Sequence, residues 1–116
     1  MKIMLLDDDK SLIGSLERLL VSMGHEVDTF NVAKEALEPA RTGGYDFAFI
    51  DYRMPDNTGV WFLENAEIPK QTRILLMTAY VSRKVIVRMF ELGACGYLIK
   101  PFDEEEIRLH LDFHSQ

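Results

Sequence analysis

The feature that most constrains the fold is an apolar run, residues 47–50, that ends in the carboxylate of Asp51. Because no polar residue interrupts the run, it predicts a strand buried on both faces of a sheet. Pro55 lacks a backbone donor and disfavours helix at the preceding residue, so a loop must follow. An acid at the end of a buried strand is held rigidly and still reaches solvent, as in the sites of parallel-sheet proteins. Taken alone, Asp51 could equally be a loop or helix-capping acid.

Composition limits the chain to one small domain, residues 1–116. Its 47% hydrophobic and 28% charged content is typical of a soluble globular protein with a core. No stretch approaches the roughly 20 apolar residues of a membrane span, and the first residues lead directly into a strand pattern without a targeting segment. The net charge of −6 argues against direct nucleic-acid binding by this domain. We therefore expect neither a membrane nor a nucleic acid as a partner.

The single cysteine and the three histidines indicate neither a disulfide nor a zinc site. Cys95 excludes an internal disulfide and fits a reducing cytosol, so we expect a cytoplasmic protein. Its place in a predicted strand indicates a small buried thiol rather than a nucleophile. His25, His110 and His114 are too scattered for a zinc site with Cys95 and are interpreted as surface or helix-end residues.

Strand and helix patterns alternate along the whole chain. Strands are predicted at 2–6, 26–30, 45–50, 73–77 and 95–99. Apolar residues at helical spacing predict five helices: one capped by Asp9 and stopped at Gly24, one capped by Asn31 and closed by Gly43, one around Trp61, one from Val85 to Gly93, and one capped by Asp103. Pro39 is expected to kink the second helix or end it early, since an internal proline costs about 3 kcal/mol.

This alternation predicts an α/β fold with right-handed crossovers and a parallel sheet covered on both faces. The short apolar strands 1, 3 and 4 belong at the centre, and the more polar strand 2 belongs at an edge. A flavodoxin-like (βα)5 doubly wound sheet of five strands, in the order 2-1-3-4-5, satisfies both conditions. The reactive edge then lies beyond the carboxyl ends of strands 1 and 3.

Polar side chains stand at the carboxyl ends of four strands. They are Asp7 and Asp8 after strand 1, Asp51 after strand 3, Thr78 after strand 4 and Lys100 after strand 5. Each pair of carboxylates at ~4 Å repels by about 4 kcal/mol at an effective dielectric of about 20, so a retained proton or a cation is required. An open site with oxygen ligands suits Mg²⁺. Together these groups form a cradle for a phosphoryl group, with the Asp51 carboxylate placed for nucleophilic attack.

Each of these residues also has a simpler interpretation. The Asp7–Asp8 pair alone could be a solvated acidic turn, and Lys100 alone could be an ordinary loop lysine. The agreement of four strand ends favours the phosphoryl site. No side chain nearby has the character of a base for repeated turnover, which indicates a site that receives one phosphoryl group and holds it.

Four motifs, in order and at strand ends, resemble the receiver domain of two-component response regulators, the CheY-like superfamily. They are Leu5–Asp9, Ile50–Pro55 with Gly59, Met77–Ala79, and Gly93–Phe102, and they span nearly the whole chain. Each motif alone is a weak signal, whereas the four together are highly specific.

The resemblance implies a role for each matching acid. Asp51 would be the phosphoacceptor. Mg²⁺, or Mn²⁺ in its place, would be bound by Asp8, by Asp51 and by the backbone carbonyl of Arg53, with Asp7 acting through water. Arg53 and Tyr80 would flank the site with unusually large side chains.

The resemblance also implies residues that bind the phosphoryl group and residues that switch. These are Thr78, Ala79, Lys100 and Tyr97, with Gly59 and Pro101 in structural positions. Tyr97 would turn inward when Thr78 moves, although it could also be a half-buried aromatic residue with a solvated hydroxyl group. The Lys100–Pro101 peptide bond would be cis.

The function implied is signal reception rather than enzymatic turnover. A sensor histidine kinase would phosphorylate Asp51, and the surface of the fourth helix, fifth strand and fifth helix would then act on an output domain, often in transcription, or on a second copy. Two alternatives stay open: a Mg²⁺-dependent phosphohydrolase that uses an aspartyl phosphate, and a pseudo-receiver that only binds a partner. The neighbours Tyr52 and Arg53 offer no second acid, which argues against the hydrolase.

The fourth helix is apolar around more of its circumference than one buried face requires. If Val85 and Met89 face the core, then Ile86 and Phe90 are at least partly exposed. They would contact a partner or a second copy, unless neighbouring elements shield them. The helix also carries basic residues that either pair with acids 103–106 across a dimer or are solvated: Arg83, Lys84 and Arg88.

Overall fold

The computed structural model describes residues 1–80 and 82–115, in which five strands alternate with five helices. They are β1 (Lys2–Leu6), α1 (Lys10–Ser22), β2 (Glu26–Phe30), α2 (Ala33–Thr42), β3 (Phe47–Asp51), α3 (Gly59–Asn65), β4 (Arg73–Thr78), α4 (Arg83–Glu91), β5 (Ala94–Ile99) and α5 (Glu104–His114). Every predicted element is present, and the strand ends differ from prediction by two residues at most. None of the helices in these ranges has the length and apolar character that crossing a bilayer requires.

The strands form one parallel sheet in the order β2-β1-β3-β4-β5, which confirms the predicted flavodoxin-like topology. Every residue of β3 is buried, because helices cover both faces of this central strand. Leu6 pairs with Ile50, and Asp51 pairs with Met77. This register brings the carboxyl ends of the central strands together at one edge of the sheet, called here the carboxyl edge.

Alternate residues of β3 divide the core into two apolar layers, as the period of a strand requires. Phe47 and Phe49 pack in the layer that contains residues of α1 and α5. Ala48 and Ile50 pack in the layer that contains residues of α2, α3 and α4. A shift by one residue would exchange the two layers, so the packing fixes the position of Asp51 along the strand.

Two of the predicted helix caps are confirmed and one is wrong. Asp9 and Asp103 each accept a hydrogen bond from a first-turn amide of the helix that follows. Asn31, however, does not cap α2, whose first residue outside the helix is Val32. The free amides of Ala33 and Lys34 instead donate to the carboxylate of Asp56, each at 3.0 Å. The cap of α2 thus comes from the loop that follows β3. A local sequence pattern does not reveal such a cap, because Asp56 is more than 20 residues from the start of α2.

Of the two outcomes expected for Pro39, a kink or an early end of α2, the early end is wrong, since the helix continues to Thr42. Proline removes one amide donor to the preceding turn, but its own carbonyl still accepts a 2.7 Å hydrogen bond from the amide of Gly43. Ala36 and Ala40 remain fully packed against the sheet. Tertiary packing therefore outweighs the local penalty of the proline.

Cys95 is exposed, so the expected buried thiol is wrong. Ile74 pairs with Ala94 while Leu75 pairs with Gly96, which makes Cys95 the extra residue of a bulge. β5 also forms one edge of the sheet. A bulged residue on an edge strand is not obliged to face either apolar layer, and its side chain reaches solvent.

Candidate functional site

Three carboxylates converge at the carboxyl edge. One oxygen from each of Asp7, Asp8 and Asp51 lies within 4.8 Å of the others. Asp7 is completely buried and Asp51 is 6% exposed, whereas Asp8 is exposed. The grouping arises because β1 and β3 are neighbouring strands, in which Leu6 pairs with Ile50 directly before Asp7 and Asp51. Among residues 1–80 and 82–115, it is the only group of three or more potential acidic, histidine or cysteine ligands this compact.

Lys100 links these acids to the end of β5. Its Nζ donates to Oδ2 of Asp7 at 2.6 Å and lies 3.4 Å from Oδ1 of Asp51. The other oxygen of Asp7 accepts the amide of Asp9 at 3.0 Å. The lysine therefore contacts the expected acceptor, but its shorter contact is with the fully buried Asp7.

The electrostatics of the site favour an added positive charge. Burial, and then the adjacent Asp7, raise the pKa of Asp51 to about 6, while Lys100 opposes the shift. Burial disfavours the charge on Lys100, yet Asp7 and Asp51 hold its pKa above the usual value. One lysine faces three carboxylates, so negative charge is left in excess. A hard divalent cation with oxygen ligands, of the Mg²⁺ type, fits this donor set.

The loop that follows β3 is folded back against Asp51 by Gly59. The amide of Gly59 donates to the carbonyl of Tyr52 at 2.6 Å. A Cβ added to Gly59 would lie 2.6 Å from the carbonyl oxygen of Asp51, a contact that only glycine avoids. Arg53 and Thr58 form an isolated antiparallel bridge across the same loop. These contacts hold the loop so that Arg53 and Asp51 line the same cavity.

Thr78 lies at the end of β4, and its side chain is engaged with its own loop. The hydroxyl group donates to the carbonyl of Tyr80 at 2.9 Å and accepts from the amide of Tyr80 at 2.8 Å. The residue is 1% exposed. The amide of Lys100 donates to the carbonyl of Thr78 at 2.8 Å, which fixes the ends of β4 and β5 relative to each other.

An aromatic stack closes one side of the site. The ring of Tyr80 stacks on that of Tyr52, with centroids 5.3 Å apart and planes at 16°. The guanidinium carbon of Arg53 lies 4.5 Å from the centroid of Tyr80. The sequence indicated Arg53 and Tyr80 as flanking residues but not the part of Tyr52, for which the only signal was an aromatic side chain directly after Asp51. A cavity of about 270 Å³ is lined by Asp51, Arg53, Thr78, Ala79, Tyr80 and Lys100.

Two other residues singled out from the sequence lie outside this cavity. Tyr97 is 39% exposed, and its ring meets that of Phe90 edge-on at 6.3 Å. Its ring is therefore on the surface and not against Thr78. The Lys100–Pro101 peptide bond is cis, as the resemblance implies.

Beside the site, α4, β5 and α5 present a partly apolar surface, called here the α4–β5–α5 face. Met89 is buried and Ile86 is partly buried, whereas Phe90 is 41% exposed. The exposed large apolar residues of the three elements are Val87, Phe90, Tyr97, Ile99, Leu109 and Phe113. Arg88 pairs within the chain, with Glu64 of α3 at 3.0 Å and with Glu91 at 3.8 Å.

Comparison with known proteins places this geometry in context. A family model described as the response regulator receiver domain matches residues 3–112. Transcriptional regulatory protein ZraR of Escherichia coli (strain K12) is 35% identical over 115 residues, which cover 95% of this chain and 25% of ZraR. The chain spans 16–25% of the length of the first curated relatives it matches.

Solved structures agree with the family match. A CheY-like receiver domain protein from Methanospirillum hungatei JF-1 is 26% identical, with a TM-score of 0.91 over 97% of this chain and 91% of that one. A response regulator from Burkholderia pseudomallei, crystallised with a phosphorylated aspartic acid, a calcium ion and citrate, is 28% identical. Its TM-score is 0.84 over 91% of this chain and 63% of that one.

Proposed function

We propose that this chain, which belongs to the response regulator receiver family of two-component systems, accepts a phosphoryl group on Asp51. The donor would be a sensor histidine kinase in the cytoplasm. The observation that carries this proposal is the convergence of three carboxylates and Lys100 at one cavity. The phosphorylated aspartic acid in the relative from Burkholderia pseudomallei supports it. Residues 1–116 would belong to this receiver domain.

The proposed transfer needs a nucleophile, positioning and neutralisation of charge. One oxygen of Asp51 attacks the phosphorus, the P–N bond of the phosphohistidine breaks, and its electron pair leaves with the imidazole. Lys100 lies within reach of the new phosphoryl oxygens and keeps its positive charge because its pKa is raised. Asp8, Asp51 and the carbonyl of Arg53 would hold Mg²⁺ or Mn²⁺, with Asp7 acting through water, and the ion would neutralise phosphoryl charge.

The switch would begin at Thr78. Its hydroxyl group would leave the main chain of Tyr80 and donate to a phosphoryl oxygen, with the amide of Ala79 as a second donor. Tyr97, now on the surface, would turn into the space that Thr78 vacates. Shifting the ratio of active to inactive conformations from 1:99 to 99:1 takes about 5.5 kcal/mol. The new contacts of the phosphoryl group must therefore favour the active conformation by a few kcal/mol.

The α4–β5–α5 face would pass the signal on. Its exposed apolar side chains suit a protein contact. Its charges are also divided, with Arg83 and Lys84 on α4 and the acids Glu104, Glu105 and Glu106 on α5. This division suits either a second copy of the chain or an output domain. Control of transcription is the output we propose, on the name of the relative ZraR.

The test is phosphorylation by a small phosphoryl donor. Wild-type protein incubated with acetyl phosphate and Mg²⁺ is expected to gain one phosphoryl group by intact mass, and alkali should remove it as an acyl phosphate. Asp51→Asn should gain none, and removal of Mg²⁺ with EDTA should abolish labelling. The control Asp112→Asn, an exposed acid of α5, should be labelled like the wild type. Equal labelling of Asp51→Asn would defeat the assignment.

The same experiment separates the two alternatives. Release of many equivalents of phosphate per protein molecule would indicate the Mg²⁺-dependent phosphohydrolase. Failure of several donors to label the wild type, with Mg²⁺ present, would indicate a pseudo-receiver that only binds a partner. Near-stoichiometric labelling that decays slowly supports the receiver, which hydrolyses only its own aspartyl phosphate.

A further inference from the structure

A second group of potential metal-ligating side chains lies on the α4–β5–α5 face, where α5 packs beside β5. Cys95, His110 and His114 border one surface cavity of about 470 Å³. They are scattered in the sequence and meet only because α5 returns along β5. Cys95, the bulged residue of β5, is exposed and borders the same cavity.

The two imidazoles have the spacing of a chelating pair. His110 and His114 are four residues apart on α5 and therefore share one helix face, as do the two histidines of helical zinc sites. Their ring centroids are 5.6 Å apart and their planes differ by 21°. With Zn–N bonds of about 2.1 Å, two rings on one ion have centroids roughly 5 Å apart. The observed separation of the two ring centroids is therefore close to that of a chelating pair.

Gly96 leaves the space that these rings occupy. A Cβ at this position would lie 2.9 Å from Nε2 of His114 and 3.5 Å from Nδ1 of His110. Ring nitrogens of both histidines thus converge on the one backbone position of β5 that has no side chain. Desolvation, His110 and Arg73 all lower the pKa of His114, which leaves its imidazole neutral and able to donate a lone pair.

Cys95 supplies a third ligand of a different type. Its sulfur and the two ring nitrogens are not all within 4.8 Å of one another in the present side-chain conformations, so binding requires rotation of the side chains. Cys95 is exposed, and His114 is in the last turn of α5. A thiolate with two imidazoles selects Zn²⁺ and its neighbours, whereas the carboxylates at the carboxyl edge select Mg²⁺.

We propose that Cys95, His110 and His114 form a binding site for one divalent transition-metal ion of the Zn²⁺ type, with a fourth position open to water. The three ligands include none of the residues of the proposed phosphoryl site, although Tyr97 lines the same cavity. The guanidinium group of Arg73 is near enough to His114 to act on its titration. Its charge repels a cation, so the affinity is lower than that of a closed structural zinc site.

Co²⁺ is the probe, because a thiolate bound to Co²⁺ gives a charge-transfer band in the near ultraviolet. The protein is titrated in excess Mg²⁺, which occupies the carboxylate site, and Zn²⁺ is then added. We expect the band to saturate at one equivalent of Co²⁺ and to disappear when Zn²⁺ displaces it. Cys95→Ser should lack the band, and His110→Ala and His114→Ala should each weaken binding by about tenfold or more.

Matched controls distinguish this site from others. His25→Ala removes a histidine outside the cavity and should bind Co²⁺ like the wild type. Circular dichroism of each variant without metal checks that the fold is retained. The absence of a thiolate band in the wild type, or equal Co²⁺ affinity in folded His110→Ala and His114→Ala, would overturn the proposal.

Discussion

At the scale of single residues, the ionisation of Asp51 opposes folding. Burial and Asp7 raise its folded-state pKa from 3.8 to about 6. A carboxyl group whose pKa is higher in the folded than in the unfolded state favours folding when it is protonated. This contribution is full below about pH 4 and is lost as the pH rises to about 6, at about 1.4 kcal/mol for each unit of pKa difference.

Asp51→Asn is therefore expected to raise the free energy of unfolding of the metal-free protein at pH 7, by a few kcal/mol at most, and much less at pH 4. Urea unfolding in EDTA at both pH values measures this difference. Asp112→Asn, a change of charge at an exposed position, should show no such dependence. An Asp51→Asn protein less stable than the wild type at pH 7 would contradict the prediction.

The ring of Tyr80 is expected to hold Thr78 in its present turn. Tyr52 and Arg53 pack against the ring of Tyr80. The carbonyl of Tyr80 accepts a hydrogen bond from the Thr78 hydroxyl group, and the amide of Tyr80 donates one to it. An aromatic pair contributes about 0.5–1.5 kcal/mol. Without the ring, Thr78 would be freed more easily for a phosphoryl oxygen.

Tyr80→Ala should therefore bind beryllofluoride, an analogue of the phosphoryl group, roughly two- to tenfold more tightly in the presence of Mg²⁺. Tyr80→Phe keeps the ring and should bind like the wild type. Isothermal titration measures both affinities. Weaker or unchanged binding by Tyr80→Ala would show that the stack does not restrain the switch.

At the scale of secondary structure, the sequence was sufficient wherever a signal is local. Asp9 and Asp103 cap their helices, and the uninterrupted run before Asp51 forms the buried central strand, because capping and strand burial depend on adjacent residues. The cap of α2 and the bulge at Cys95 were missed, because each depends on a segment distant in sequence. The convergence of acids could be predicted from strand order, but the closer contact of Lys100 with Asp7 could not.

The cap supplied by Asp56 gives a direct test. Asp56→Ala removes the acceptor of two helix amides and should lower the free energy of unfolding by about 1 kcal/mol. Asn31→Ala should change it much less, because Asn31 is not the cap. Urea unfolding of both variants is the measurement. Equal destabilisation would mean that Asn31 caps α2 in solution.

Pro39 gives a second test of α2. Pro39→Ala restores an amide donor inside the helix, which stabilises the folded state by up to about 3 kcal/mol. Loss of the proline also gives the unfolded chain more conformational freedom, which lowers the gain in stability by up to about 1 kcal/mol. We expect a net gain of about 1–2 kcal/mol in the free energy of unfolding. Pro69→Ala lies outside every helix and should give no gain. Loss of stability in Pro39→Ala would show that the packing of α2 depends on the proline ring.

At the scale of the whole molecule, the charges of the α4–β5–α5 face are expected to control self-association. Protein saturated with beryllofluoride and Mg²⁺ should sediment as a dimer, and Lys84→Glu should weaken that dimer. Combining Lys84→Glu with Glu105→Lys should restore it, because the two charges are exchanged across a two-fold axis. Sedimentation velocity measures each state. A wild type that stays monomeric would instead favour a separate output domain as the occupant of this face.

The contact between Lys100 and Asp7 joins residues 93 positions apart. A nascent chain would therefore lack the proposed phosphoryl site until nearly all of the domain has been synthesised, since two acids follow the first strand and the lysine follows the last. A translation product that stops before Lys100 would not compete for the proposed phosphoryl donor, so competence to receive the group would mark a domain whose five strands are all in place.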